Sequence, residues 1–382
     1  MPKPHTSTQT CSLDSSTPRS LRLLAALALG SLPGLAAADE GRSPLPEPKP
    51  VALLQVWGTA FDQDMDPTAD PISYGDPEDD PGFKIRRARL GFEGDGEAIR
   101  YAMVVGVGAN YDQLDGVESD GLHFVDASMG FRLVKGLWAD IGQQKVPVSR
   151  DNLMSSGNLV LMERSVGTEW LVPDREAGVV LDGRFGKDDE GNRARIRVGA
   201  FNGNSDIFRD DNAGKLITAR LEGATGKGKV YDTYGKVKGL TLGAAGDFWL
   251  NPSLSTRTLG YGGDLILRVD GLALLVEGHL VTIEPENTDI IDPGVYDETS
   301  RSGGFAQIGY SAKGFEPAVR VGIFDDDADL ENNGDVGEVM GGLTYHMKGD
   351  ALRFGGGYVH RMERQGTPLD NDAARLWAQL RL

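Results

Sequence analysis

The stretch "NRARIRVGAFNG" (Asn192–Gly203) carries Arg193, Arg195 and Arg197 at alternate positions, with Ala194, Ile196 and Val198 between them. Arginine stays charged at any physiological pH, and its planar fork of donors fits phosphate and carboxylate groups. A row of such groups along a confined passage selects anions. On an extended chain alternate side chains point to opposite faces, so this segment presents one cationic and one apolar face. Parity places Arg87 and Arg89 opposite Ala88, Leu90 and Phe92, and sets Arg268, Arg320, Arg353 and Arg375 on the polar face of their own segments. Glu93, Asp182 and Asp264 are available on polar faces to pair with some of them.

No other chemistry is legible. The five histidines are scattered, and none forms a metal-ligand spacing. There is no nucleophile elbow and no glycine-rich phosphate loop. The expectation is a non-enzyme with no cofactor and no metal centre. Aspartate and glutamate number 57 against 39 lysines and arginines, for a net charge of −18. That balance disfavours a nucleic-acid partner. Much of the acidity is local, at Asp62–Asp80 and Asp325–Glu338. The second stretch has a calcium-loop rhythm (Asp327, Asp329, Glu331, Asn333, Asp335, Glu338). However, Asn332 stands where the loop needs glycine, and no helical pattern flanks it.

These charges must be positioned by strands. Sixteen segments of roughly ten residues alternate with period two: 51–62, 83–94, 98–110, 121–134, 137–146, 176–185, 193–203, 214–222, 239–250, 257–269, 272–284, 301–312, 316–325, 336–347, 351–363 and 373–382. In "AIRYAMVVGVGAN", Ile99, Tyr101, Met103, Val105 and Val107 share one face and Arg100 takes the other. Connections after even segments are mostly tight, as in "DG" at 270–271 and "KG" at 313–314, and those after odd segments are mostly long. Two break the rule: 251–256 is short, and 223–238 is long. An even number of tilted strands with short turns at one end and long loops at the other is the pattern of a transmembrane β-barrel. Hydrocarbon leaves no unpaired backbone, so such a sheet must close. The fold predicted is all-β: an antiparallel up-and-down barrel of about 16 strands, apolar outside and arginine-lined within. A secreted or surface β-protein without a channel, such as an adhesin, is the alternative.

The N-terminus reads as an export signal over 1–38. Arg19 and Arg22 precede "LLAALALGSLPGLAA", and Ala36–Ala38 offers a cleavage site. A Pro-rich leader (39–50) follows, then the barrel domain (51–382). Cleavage would remove Cys11, the one cysteine. An exported barrel belongs in the outer membrane of a Gram-negative-type bacterium, among lipid and lipopolysaccharide whose bridging divalent cations the acidic loops could share.

"FKIRRARLGFEG" (Phe83–Gly94), "FVDASMGF" (Phe124–Phe131) and "IGQQKVPVSRDNLMSSGNLVLMERS" (Ile141–Ser165), in this order and spacing, resemble the phosphate-selective outer-membrane porin family, porins O and P. The resemblance implies a sixteen-stranded barrel, usually homotrimeric, passing small anions such as phosphate by passive diffusion. It also implies that the third outer loop, here 147–175 with Arg150 and Glu163, folds inward as a constriction. Its apolar Leu153, Leu159, Val160 and Leu161 suit partial burial. Arg86 and Arg87 match the family's paired arginines, Arg164 its Glu-Arg, and Asp126 its acidic position before Ala127. The chain departs at Asn152 and Gly157, where phosphate-binding members carry lysines. A weakly selective general porin therefore stays open beside an anion-preferring one.

Overall fold

Strands form at each of the sixteen alternating segments. They are β1 (Lys49–Phe61), β2 (Gly82–Asp95), β3 (Ile99–Tyr111), β4 (Glu118–Val134), β5 (Leu137–Lys145) and β6 (Arg175–Lys187). There follow β7 (Glu190–Phe201), β8 (Leu216–Gly226), β9 (Leu240–Pro252), β10 (Thr256–Val269) and β11 (Leu272–Pro285). The last are β12 (Thr299–Tyr310), β13 (Phe315–Asp325), β14 (Val336–Met347), β15 (Leu352–Glu363) and β16 (Ala373–Arg381). The computed structural model describes residues 45–61, 82–111, 118–187, 190–204, 210, 214–232, 239–253, 256–285, 298–332, 334–347, 351–366, 368 and 372–382. The expected signal, most of the leader, and the acidic segment 62–81 lie outside the described residues.

Each strand pairs antiparallel with its neighbours in sequence, and β1 pairs with β16 (Leu53 opposite Arg381, Phe61 opposite Ala373), so the sheet closes. The shortest strands have 9 residues, enough to cross the apolar band when tilted. Alternation sorts the faces. In β7, Ile196 and Val198 are exposed while Arg197 is buried; in β13, Val319, Val321 and Ile323 are exposed while Arg320 is buried. The exposed faces are apolar on strand after strand, as a lipid-facing wall must be. The tight turns have the chemistry expected of two-residue hairpins. Asp270-Gly271 and Lys313-Gly314 both hold positive φ at both positions, which the twist of paired strands favours and glycine tolerates.

Three local departures from plain alternation matter. The β1–β2 register shifts at Gln55/Val56, where Gln55 faces Arg87 and Val56 faces Ile85, so Arg86 is an extra residue in β2. β8 runs on to Gly226 rather than stopping at 222, since its last residues pair with Leu242 and Thr241 of β9. The connection 146–174 contains two short helices, α1 (Arg150–Leu153) and α2 (Val166–Leu171), with a 3-10 turn at Ser156–Asn158 between them.

Candidate permeation site

The 146–174 connection leaves β5 and is tied at once to the opposite wall. Ser149 donates its N–H to Asp247 on β9 at 3.0 Å and its hydroxyl to Glu277 on β11. The N–H groups of Arg150 and Asp151 converge on the same Glu277 carboxylate at 2.9 and 3.0 Å. Ser149 holds φ 60°, a strained conformation for a residue with a Cβ, and these carboxylates fix it there. The Arg150 guanidinium reaches Asp264 on β10 at 2.5 Å, and Arg220 on β8 bridges Asp264 and Asp247 at 2.6 Å each. The side chains of Arg150, Asp264, Arg220 and Asp247 are fully buried, at 0% exposure. Charges taken this far from water persist only when mutually paired and hydrogen-bonded.

The second half of the connection is held by carbonyls. Arg320 on β13 donates to the carbonyls of Glu163 and Arg164 at 2.7 and 2.8 Å. Thr344 on β14 and Arg353 on β15 donate to those of Val160 and Leu159, and Gln379 on β16 and Gln55 on β1 to those of Gly157 and Ser156. Between these bonds Val160 and Leu161 pack with Met340, Val359 and Ala373. Extended backbone without a sheet partner needs such donors when buried. The apolar residues Leu159, Val160 and Leu161 are thus buried against the wall; Leu153 is half-buried.

The wall from β2 to β7 is different. Arg86 and Arg87 both grip Glu163, at 3.0 and 3.3 Å. The β2 bulge is what brings two consecutive side chains to one face. Burial pushes the Glu163 carboxyl up, but the two guanidiniums outweigh it and hold it well below the usual carboxylate range. Arg89 donates to the Ser156 hydroxyl at 2.9 Å, and Lys145 to the carbonyls of Met154 (2.6 Å) and Asn152. Arg164 donates to the carbonyls of Asp151, Asn152 and Met154 and lies 3.9 Å from Glu169. Arg175 pairs with Asp126 and Asp174. Lower on the wall, Arg195, Arg184 and Arg100 converge on Asp182 at 2.7, 2.8 and 3.0 Å. Arg184 and Arg195 keep 30% and 27% of their side chains exposed, and Asp126 30%. This wall meets water.

The remaining arginines singled out by parity sit between these regimes. Arg193 donates to the carbonyls of Gly226 and Gly228, Arg268 to that of Lys229, and Arg197 to the Tyr231 hydroxyl. Arg375 stacks 4.2 Å over Trp57. Arg86, Arg87, Arg89 and Arg164 thus gather at one site with Glu163. Arg195 lies further along the same wall, while Arg150 and Arg320 anchor the loop. Parity alone misses Lys145 and Arg175, which flank the loop where alternation ends, and although it sets Asp264 on a polar face it does not reveal that Arg150 pairs with it.

Residues 60–244 match the model of a family described as phosphate-selective porin O and P. Over that stretch the chain is similar to this porin family. Among curated proteins none matches it. Solved porins share the fold at low identity. OmpT of Vibrio cholerae, in a trimer form, is 10% identical over 88% of this chain and 99% of its own, with a TM-score of 0.54. OmpF of Salmonella typhi, in complex with daunomycin, is 13% identical over 88% and 97%, at 0.56. An anion-selective porin from Comamonas acidovorans is 10% identical over 88% and 99%, also at 0.56. At these identities the likeness concerns the barrel. The family match and the barrel fold point to an outer-membrane porin channel rather than an enzyme.

Proposed function

We propose that this porin passes small anions, phosphate among them, along the β2–β7 wall, with the 146–174 loop as its constriction. The observation that carries the reading is the pairing of charges. Against β9–β11 the cations are matched by carboxylates and dry. On the β2–β7 side Arg89 and Lys145 donate to neutral oxygens rather than to carboxylates. In a confined, water-filled site a few such groups set the sign of the permeant ion. The acidic outer segments contribute little, because salt screens them within about 8–10 Å. The anion selectivity of the Comamonas barrel is in keeping with this reading. So is assembly as a homotrimer in lipopolysaccharide-bearing membrane after export through residues 1–38. The test is the reversal potential of purified channels in a potassium chloride gradient. The wild type is expected to be anion-selective, and Arg89→Gln with Lys145→Gln to move the potential toward zero. A cation-selective wild type would leave the arginines a purely structural role.

A further inference from the structure

The long connection between β8 and β9 lies at the barrel end opposite the 146–174 loop, where the other connections are tight turns. Its described residues do not stay at the rim. Val230 is buried with Met154 and Leu159 of the loop and with Ile266, Leu275 and Phe305 of the wall. The Val230 carbonyl accepts from Arg150 at 2.9 Å, and Asp232 accepts from Asn158 of the loop. Tyr231 donates its hydroxyl to Glu222 at 2.5 Å, and Arg150 and Arg197 lie 5.1 and 5.6 Å from its ring centre. Glu222 lies four residues inside the end of β8 at Gly226, so the turn reaches roughly 10–14 Å into the barrel at strand rise. Two segments that enter from opposite ends therefore meet at Arg150.

What they cover carries a net negative charge on its strands: on β8–β11 the buried carboxylates Glu222, Asp247, Asp264 and Glu277 outnumber the buried arginines Arg220 and Arg268. Exposed to water, such a set of carboxylates would favour cations. We propose that the β8–β9 turn is a specificity-determining stopper. Val230 and Tyr231 wedge between the loop and the β8–β11 wall and keep that acidic sector dry, so that every permeating ion must pass the cationic β2–β7 wall. Tyr231 and Arg150 act as positioning residues: they touch no permeant ion. This rests on the anion path proposed above, but it predicts a property of its own, a second and oppositely selective path that opens when the turn is trimmed.

The test is Val230→Gly with Tyr231→Gly, checked for heat-modifiable mobility as a closed barrel and then recorded in planar bilayers. Conductance is expected to rise roughly twofold, as a second sector of the lumen fills with water, and the reversal potential to shift toward cation preference. A larger conductance without that shift, or no change in either, overturns the stopper. A wild type without anion preference would overturn the anion path alone, and the conductance arm would still decide the stopper. A labelling arm does not depend on the trimmed variant assembling. With Cys11 replaced by serine, Ile266→Cys beneath Val230 should resist a charged methanethiosulfonate reagent that rapidly modifies Arg184→Cys on the wet wall. Equal reactivity of the two would mean that water already reaches the acidic sector, and the proposal would fall.

Discussion

Ile196 and Arg195 are neighbours in β7 with opposite environments, and exchanging their chemistry tests the barrel at its most literal. Ile196 is exposed on the outer face near the middle of β7, flanked by Gly183 and Leu221. Arginine there would place a charge near the bilayer midplane, at about 2–4 kcal/mol. That is a large part of a total stability of order 5–15 kcal/mol. Arg195→Ile removes one of three guanidiniums from Asp182, and Arg184 and Arg100 remain at 2.8 and 3.0 Å. The lost pair touches water, so its share is on the order of 0.2–1 kcal/mol. Ile196→Arg should therefore be the less stable by roughly 2–3 kcal/mol. The assay is urea unfolding in lipid vesicles, read by tryptophan fluorescence and by heat-modifiable gel mobility. If the two variants unfold at the same midpoint, either the facing of β7 or its lipid exposure is wrong.

Glu163→Gln should strengthen anion preference, because it leaves Arg86 and Arg87 without the carboxylate that neutralises them; reversal potential measures it. The same pair gives a pH dependence. A carboxyl held below its ordinary value contributes stability that is complete above about pH 4.3 and is lost only as pH falls through the depressed value. The loop should thus resist proteolysis below the ordinary carboxylate range, and Glu163→Gln should abolish that acid-dependent component. Asp264→Asn leaves Arg150 and Arg220 sharing one fewer charge in a dry site, a change that costs about 3–5 kcal/mol when such a buried partner is removed. It should release the loop, seen as noisy conductance, while the barrel still migrates as a folded band.

The strands were legible because a membrane barrel writes its burial into every second residue, and all sixteen alternating segments became strands. The glycine-bearing turns were legible for the same local reason. What escaped was non-local. Arg150 meets Asp264 across 114 positions of sequence, and nothing near either residue announces the other. The β8–β9 connection stood out in the sequence only as an exception to a rule about loop lengths. That Val230 and Tyr231 turn back into the barrel depends on the apolar floor made by Ile266, Leu275 and Phe305 on three other strands. Parity put Arg193, Arg195 and Arg197 on one face of their strand, but it said nothing of their partners. Arg197 finds Tyr231, and Arg193 finds backbone carbonyls.

The bulge in β2 has a consequence for how such a wall is edited. Strict alternation would allow one of two adjacent arginines to face the lumen. If Arg86 were deleted as a residue, the strand would read Arg87 inward, Ile85 outward, Lys84 inward and Phe83 outward, with its pairing to Val56, Trp57 and Gly58 intact. Arg86 therefore behaves as a single inserted letter that β1 does not have to match. The insertion adds a second cation beside the first and turns a lone ion pair with Glu163 into a clamp, and it moves no other side chain to the wrong face of the membrane.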